Sequence, residues 1–354
     1  MSAPLLIRPG ARYECHGDGT CCTNIHLLGP VSRAEAQKVR RAAGVVFPSR
    51  KEPAVDWHDG IKGLVISPSG ATCMFLDNNA RCRMHAQLGE QEKPAVCRHF
   101  PLGTTATDAG VRVTLSHRCP CVSVGVSRPL DERRARSVLA LPGTGSIVPA
   151  NRAEGLVPWR GRRTVDIHTY EAWEKGWLER LDRDDGEPIE SMLRLSSADR
   201  LPKLKGTSWN EVTRRLANWV RDEDANDGFF CAIRWTEYAL RGTTNGRQPP
   251  IRPWSWTFDR TAERSPTPTP VRRVYGSWLA DEAWSMTWAV GATLYRAMAD
   301  WAARYVVARR IAARLELSGI RADLAAAEGI MIVDVLGAAD PWAWVMRRFE
   351  EAPP

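Results

Sequence analysis

The sequence predicts an α+β protein: a small, loop-rich, cysteine-rich unit over residues 1–125, followed by a mainly α-helical unit over residues 126–354. Three observations lead there. A chain of 354 residues has the length of about two domains. Eight of its nine cysteines lie between Cys15 and Cys121, and only Cys231 falls beyond them. After residue 125 the apolar residues recur at helical spacing, whereas the first part has few periodic runs.

The elements follow in order. Ser32 with Glu35 forms a capping-box pattern, predicting a helix that runs to about Ala43, before Gly44. Asp77–Asn79 suits a turn between two short strands. The alternation of Val111, Val113 and Leu115 predicts a strand. Helical pattern begins at Pro129 or Leu130 and runs to Leu139, and the stretch with Pro142, Gly143 and Gly145 breaks it. Helices are then expected over Thr169–Leu181, Ile189–Leu195, Asn210–Arg221 and Phe229–Leu240. Six prolines at positions 249, 250, 253, 266, 268 and 270 predict a long loop over residues 249–270 with no regular element. Ala283–Leu317 predicts one long helix or two shorter ones, Arg321–Leu336 another, and Pro341 the start of a last one ending near Phe349.

Composition is that of a soluble globular protein, 44% apolar and 25% charged. No stretch approaches the roughly 18 uninterrupted apolar residues of a membrane span, since Arg296, Asp300 and Arg304 interrupt the longest one. No membrane partner is therefore expected. The apolar run at the N-terminus is too short for a signal sequence, so a cytoplasmic location is expected. The net charge of +8 divides into +5 in residues 1–125, where 15 Lys and Arg face 10 Asp and Glu, and +3 in the rest. The basic residues are dispersed, which gives little support to a nucleic-acid surface.

In a reducing compartment, clustered cysteines point to metal rather than to disulfides. The candidate ligands are Cys15, Cys21 and Cys22 in CHGDGTCC, Cys73 and Cys82, Cys97 in CRHFP, and Cys119 and Cys121 in SHRCPC. Gly17 and Gly19 let the backbone fold tightly enough for Cys15 and Cys21 to converge. Thiolate-rich sets select zinc, copper(I) or iron–sulfur clusters over hard cations. Eight cysteines suffice for two tetrahedral sites, or for one cluster plus structural thiols. His16, His26, His85, His99 and His117 are possible further ligands, though each alone is more often a hydrogen-bonded or surface histidine. Cys231, in the apolar run FFCAI, is expected to be core. The fifteen tryptophans, among them Trp254, Trp256, Trp278, Trp284 and Trp288, are expected mostly in the core, with an aromatic channel as the alternative. Gly143-Thr144-Gly145 lacks the third glycine of a dinucleotide fingerprint, and Asp166 is the only carboxylate near the required spacing.

The segment CMFLDNNARCRMHAQLGEQEKPAVCRHFP, from Cys73 to Pro101, with the Cys21–Cys22 pair before it, resembles the YkgJ family of cysteine-cluster proteins. Leu88-Gly89 after Cys82, Phe100-Pro101 after Cys97, the later VTLSHRCP, and the downstream YEAW and PIESMLRL are most similar to its flagellin lysine-N-methylase branch. The resemblance covers roughly residues 12–200. It departs from the family pattern in the five residues between Cys15 and Cys21 and in the additional Cys121. It implies a zinc- or iron-chelating domain. Within the branch it implies an iron–sulfur cluster and transfer of methyl groups from S-adenosylmethionine to lysines of a surface protein such as flagellin. The ligands it implies are drawn from Cys21, Cys22, Cys73, Cys82, Cys97 and Cys119, with Cys15 and Cys121 as additional ones. The alternative is a non-enzymatic zinc or iron protein, structural, redox-sensing or metal-trafficking, with a helical partner-binding part.

Overall fold

A computed structural model of the chain describes residues 4–58, 62–125, 128–140, 147–183, 186–197, 199–220, 227–242, 248–337 and 339–350. The protein is α+β, with small sheets in the first half and helices dominating the second.

Strand β1 (Leu5–Ile7) opens the chain, and α1 (Arg33–Val46) follows a cysteine-bearing loop. The expected capping box is present, with Ser32 and Glu35 bonded reciprocally, but α1 continues two residues past Gly44. A hairpin of β2 (Val55–His58) and β3 (Gly63–Ile66) packs against α1, and β4 (Pro68–Ser69) pairs with β5 (Thr72–Cys73). The Asp77 turn forms through its carboxylate, which accepts from the Asn79 and Arg81 amides at 2.9 and 2.8 Å. It closes on an isolated Leu76–Cys82 bridge rather than on a second strand. Two short helices follow, α2 (Arg83–Leu88) and α3 (Ala95–His99).

Strands β6 (Leu102–Thr107) and β7 (Gly110–Leu115) form the antiparallel centre of a four-stranded sheet. Its order is β1-β7-β6-β8, where β1 lies parallel to β7 and β8 (Asn151–Arg152) parallel to β6. The short helix α4 (Pro120–Ser123) leaves the sheet, and α5 (Glu132–Leu139), capped by Asp131, packs on β1 and β6. On the other face Arg112 of β7 is buried, with its guanidinium 4.4 Å from the Trp284 ring centre and 2.7 Å from Glu174.

A hairpin of β9 (Val157–Arg160) and β10 (Arg163–Val165) leads into α6 (Ile167–Asp182), whose cap is Asp166. The helices α7 (Ile189–Met192), α8 (Trp209–Trp219) and α9 (Gly228–Leu240) fall where periodicity predicts them. Of these, α7 is a single turn, and Arg221 lies outside the described residues.

The proline-rich stretch is a correction. Residues 255–264 form α10 (Ser255–Arg264). Three prolines precede that helix and three follow it, so none removes an amide or clashes within it. Pro270 then leads directly into α11 (Val271–Ser285), which sequence pattern did not mark because the prolines obscured its start. The expected 283–317 helix is divided. Met286 takes a left-handed conformation that ends α11, a 3₁₀ turn follows at Thr287–Val290, and α12 spans Leu294–Glu316. The chain ends in α13 (Ala322–Gly337) and α14 (Asp340–Met346).

Helices α12 and α13 form the centre of the helical part, with α9 and α11 packed on α13. Gly329 is required there, because a Cβ would stand 2.5 Å from the Ala308 carbonyl oxygen of α12. The helical core also takes in Ile25, Leu27, Val65 and Val124 from the first 125 residues. Two further cores are separate from it. One gathers α1, the β2–β3 hairpin, Phe75 and Cys73. The other lies between the four-stranded sheet and α5 and contains Cys119 and Cys121. No helix among the described residues is long and apolar enough to cross a membrane.

Candidate functional site

All eight candidate cysteines are thiols in the structure, and they divide into two groups. The first surrounds a cavity of about 110 Å³ lined by Cys21, Cys22, Cys73, Cys82 and Cys97. Four chain segments supply them. A 3₁₀ turn carries Cys21 and Cys22, β5 ends at Cys73, Cys82 caps α2, and Cys97 stands inside α3. Cys22, Cys73, Cys82 and Cys97 all belong to, or pack against, the core beneath α1.

Local geometry turns backbone donors onto the sulfurs. The Phe75 amide donates to Cys73 Sγ and the His85 amide to Cys82 Sγ, each at 3.5 Å. Such contacts favour the thiolate, as hydrogen bonds to a charged form do. Burial pushes the Cys73 thiol up, and nearby Cys97 adds to it. Burial also pushes Cys97 up to about 12, against the opposing field of Lys93. A hydrogen bond with Cys21 favours the Cys22 thiolate, but burial and the neighbouring Cys73, Cys97 and Cys82 outweigh it.

Lys93 and Arg118 line the same cavity and bring positive charge to it. His26 lines it too, buried, with neither ring nitrogen hydrogen-bonded. Burial and Arg118 hold that imidazole well below its usual range, in the neutral form that a metal ligand requires. The expectation that histidines add ligands therefore narrows to His26 here. His117 is spent elsewhere, lying buried between Ser123 and Asp281 at 2.9 Å from each.

Helix α3 has no side-chain cap of its own and borrows one. Glu35 accepts from the Ala95 amide at 2.8 Å through Oε1, while its Oε2 closes the α1 capping box with Ser32. One carboxylate thus fixes α1 to the helix bearing Cys97. Glu35→Ala is expected to cost about 1–2 kcal/mol, a lost cap plus an unpaired amide, measured by urea denaturation. A loss within error of zero would mean that water replaces both contacts.

The second group is Cys15, Cys119 and Cys121. Cys121 is close enough to Cys15 and Cys119 to influence the titration of both. Cys121 donates to Asp18 Oδ2 at 3.1 Å and accepts from the His16 amide at 3.4 Å. The contact with Cys121 lowers the Cys15 thiol to about 6, against partial desolvation and the field of Asp18. Cys21, in the first group, has its sulfur 3.9 Å from that of Cys22. The turn that makes this possible uses Gly17 and Gly19 at φ of 69° and 81°.

No three Cys, His, Asp or Glu side chains among the described residues close into a ready metal-holding arrangement. Cys231 lies apart in α9, fully buried, where burial pushes its thiol up to about 12.

Beside the second group opens a cleft of about 390 Å³ lined by Cys15, His16, Gly125, Ser265 and Thr267, among others. Gly125 and Thr267 also line a larger cleft of about 890 Å³ between α6, α11 and the residues after α10. Glu171, Glu174, Glu179 and Asp182 face it along α6, and Trp284 forms part of its wall. Sequence reasoning did not find this cleft, since its walls come from separate segments spread between Arg8 and Trp284. Trp254 and Trp278 are core residues whose indoles donate to Glu328 at 2.7 Å and Asp334 at 3.0 Å. Trp256 is exposed. Asp166 caps α6, and the Gly143–Gly145 stretch lies outside the described residues.

No protein-family profile, no curated protein and no solved structure matches this chain.

Proposed function

We propose that the chain is a metal protein in which Cys22, Cys73, Cys82 and Cys97 hold an iron–sulfur cluster or a zinc ion, with Cys21 and His26 adjoining. The observation that carries this is the convergence of four separate cysteine segments on one small cavity. A structural role for each thiol alone would not require them to share a wall.

The donor set suits the chemistry. Four thiolates select a soft or borderline metal, and the negative charge they leave is met by Lys93 and Arg118. The Cys21–Cys22 sulfur separation of 3.9 Å is close to the edge of a tetrahedral thiolate site, about 3.8 Å for bonds of about 2.3 Å. A bound cation would offset the repulsion among the thiolates, so binding is coupled to release of their protons. The family resemblance favours iron–sulfur over zinc, and a compartment that keeps thiols reduced, such as the cytoplasm, suits either.

The test is elemental analysis with visible spectroscopy on anaerobically purified full-length protein. Stoichiometric iron with broad thiolate-to-iron absorption supports a cluster, and stoichiometric zinc without colour supports the ion. Absence of both after growth and purification with iron and zinc supplied would overturn the reading.

A second reading gives the chain an activity: methyl transfer from S-adenosylmethionine to lysines of a protein such as flagellin. The large cleft favours it. Its volume of about 890 Å³ falls within the range of small-molecule sites, and carboxylates with an indole suit a sulfonium donor and an ammonium acceptor. Arg8, Lys175 and Arg273 also line the cleft, so the charge is mixed rather than acidic. Donor binding by calorimetry, then transfer of a labelled methyl group to lysine, tests this activity. A metal-loaded protein that binds no donor would instead be a structural, redox-sensing or trafficking protein.

A further inference from the structure

We infer that Ser123 is an activated nucleophile on the wall of the large cleft, assembled with His117 and Asp281 for acyl transfer from an ester or thioester. The inference uses none of the cysteines and goes beyond both readings above.

The three side chains form one continuous run of hydrogen bonds. Ser123 Oγ lies 2.9 Å from His117 Nδ1, and His117 Nε2 lies 2.9 Å from Asp281 Oδ2. They come from three places in the fold: the last residue of α4, the loop after β7, and α11. Arg8, just past β1, fixes the far end. Its Nε donates to Asp281 Oδ1 at 2.6 Å and its Nη2 to Oδ2 at 3.1 Å. His117 is 1% exposed and Asp281 3%, so water does not compete for these contacts.

The direction of each bond follows from charge. Burial alone would raise Asp281, but Arg8 and the bond from His117 hold its carboxyl below the usual range. An ionised carboxylate can only accept, so His117 Nε2 carries the proton. Nδ1 is left with its lone pair toward Ser123, where a general base stands against a hydroxyl nucleophile. The order nucleophile, base, carboxylate is that of the serine hydrolases, with the two ring nitrogens exchanged.

The place of Ser123 separates this from a histidine merely satisfied within a core. Ser123 lines the cleft of about 890 Å³, as do Arg8, Gly125 and Thr269. Thr269 Oγ1 accepts the Gly125 amide at 3.1 Å and keeps its own proton to donate to the acyl oxygen as that oxygen becomes negative. In the reaction, Ser123 Oγ bonds to the acyl carbon while its proton passes to Nδ1. The bond to the alcohol or thiol breaks, and the leaving group takes that proton. Water then repeats the step: its oxygen bonds to the acyl carbon, its proton passes through Nδ1 to Ser123 Oγ, and the acid is released.

A fluorophosphonate probe tests this on the purified full-length protein, because it phosphonylates activated serines with loss of fluoride and leaves ordinary hydroxyls alone. One-to-one labelling, located at Ser123 by peptide mass spectrometry, is expected for the folded wild type and should vanish in urea. Ser123→Ala is expected to abolish it. His117→Gln, compared at equal folded fraction by circular dichroism, is expected to slow it about 10²–10⁴-fold. No labelling at Ser123 of the folded wild type, or a rate unchanged in His117→Gln, would overturn the inference. The first of these outcomes needs no variant, so it stands even where His117→Gln does not fold. Metal content and donor binding are read separately, so failure here leaves both readings above untouched.

Discussion

Cys73→Ser is expected to release the metal and to lower the melting temperature of the protein more than substitution of any other single cysteine in the first group. Two effects add. Folding free energy drawn from a structural thiolate site is large, about 10–16 kcal/mol for small zinc-finger peptides, and loss of one ligand forfeits much of it. Cys73 is also the buried member of its group, at the end of β5 and inside the core beneath α1. A serine oxygen there has the Phe75 amide as a donor, but its proton has no acceptor among the described residues, which adds about 1–3 kcal/mol for a buried, half-satisfied hydroxyl. Cys82→Ser, at a partly exposed cap, carries the first effect with little of the second. Cys231→Ser carries only the second, so it should keep full metal and lose stability modestly. A chelator should bring the wild type down towards Cys82→Ser and leave Cys82→Ser itself unmoved. Calorimetry with metal analysis reads all three variants. Full metal in Cys73→Ser would remove Cys73 from the ligand set. A melting loss equal to that of Cys231→Ser would show the site contributing nothing to folding.

What made the first group readable was residue type and density, not spacing. Eight cysteines within about a hundred residues suggest metal whatever their order, which is the reading proposed above, and the capping box at Ser32 and the Asp77 turn are local enough to be read from the sequence. The division into two groups was not readable, because Cys21 and Cys22 are neighbours in the chain. Only the left-handed glycines before them and the separate cores around them decide which sulfur serves which side. The same limit applies to the helices. The patterns for α9, α12 and α13 stand because each buries a wide apolar face. At α10 the placement of the prolines matters and their number does not, since a helix tolerates them outside its ends. The large cleft takes its walls from residues 8–12, residues 122–125, α6 and α11, segments that no local pattern brings together.

The residues that break the apolar run of α12 also have a use that composition hid. Arg304, 6% exposed, receives three carboxylates: Asp300 at 2.9 Å, Glu282 at 2.8 Å and Asp334 at 2.8 Å. Asp300 in turn accepts the Trp342 indole at 2.7 Å and Asp334 the Trp278 indole at 3.0 Å, so one guanidinium joins α11, α12, α13 and α14. Arg304→Met keeps the volume and removes the charge, leaving three crowded carboxylates, and is expected to cost about 3–5 kcal/mol. The cost should depend on pH in a definite direction. Burial, with Glu282 beside it, already raises Asp334 to about 7 against the pull of Arg304, and burial raises Asp300 against the same pull. Without Arg304 both rise further. A carboxyl whose folded pKa lies above its unfolded value stabilises the fold at low pH, and that contribution is lost as pH rises through the folded pKa. The deficit of Arg304→Met should therefore be larger at pH 8 than at pH 5, and Asp334→Asn added to it should recover part of the loss at pH 8 and little at pH 5. Urea denaturation at both pH values measures this. A deficit that does not change with pH would mean the carboxylates escape to water once Arg304 is gone, and that the four helices are held by their apolar faces alone.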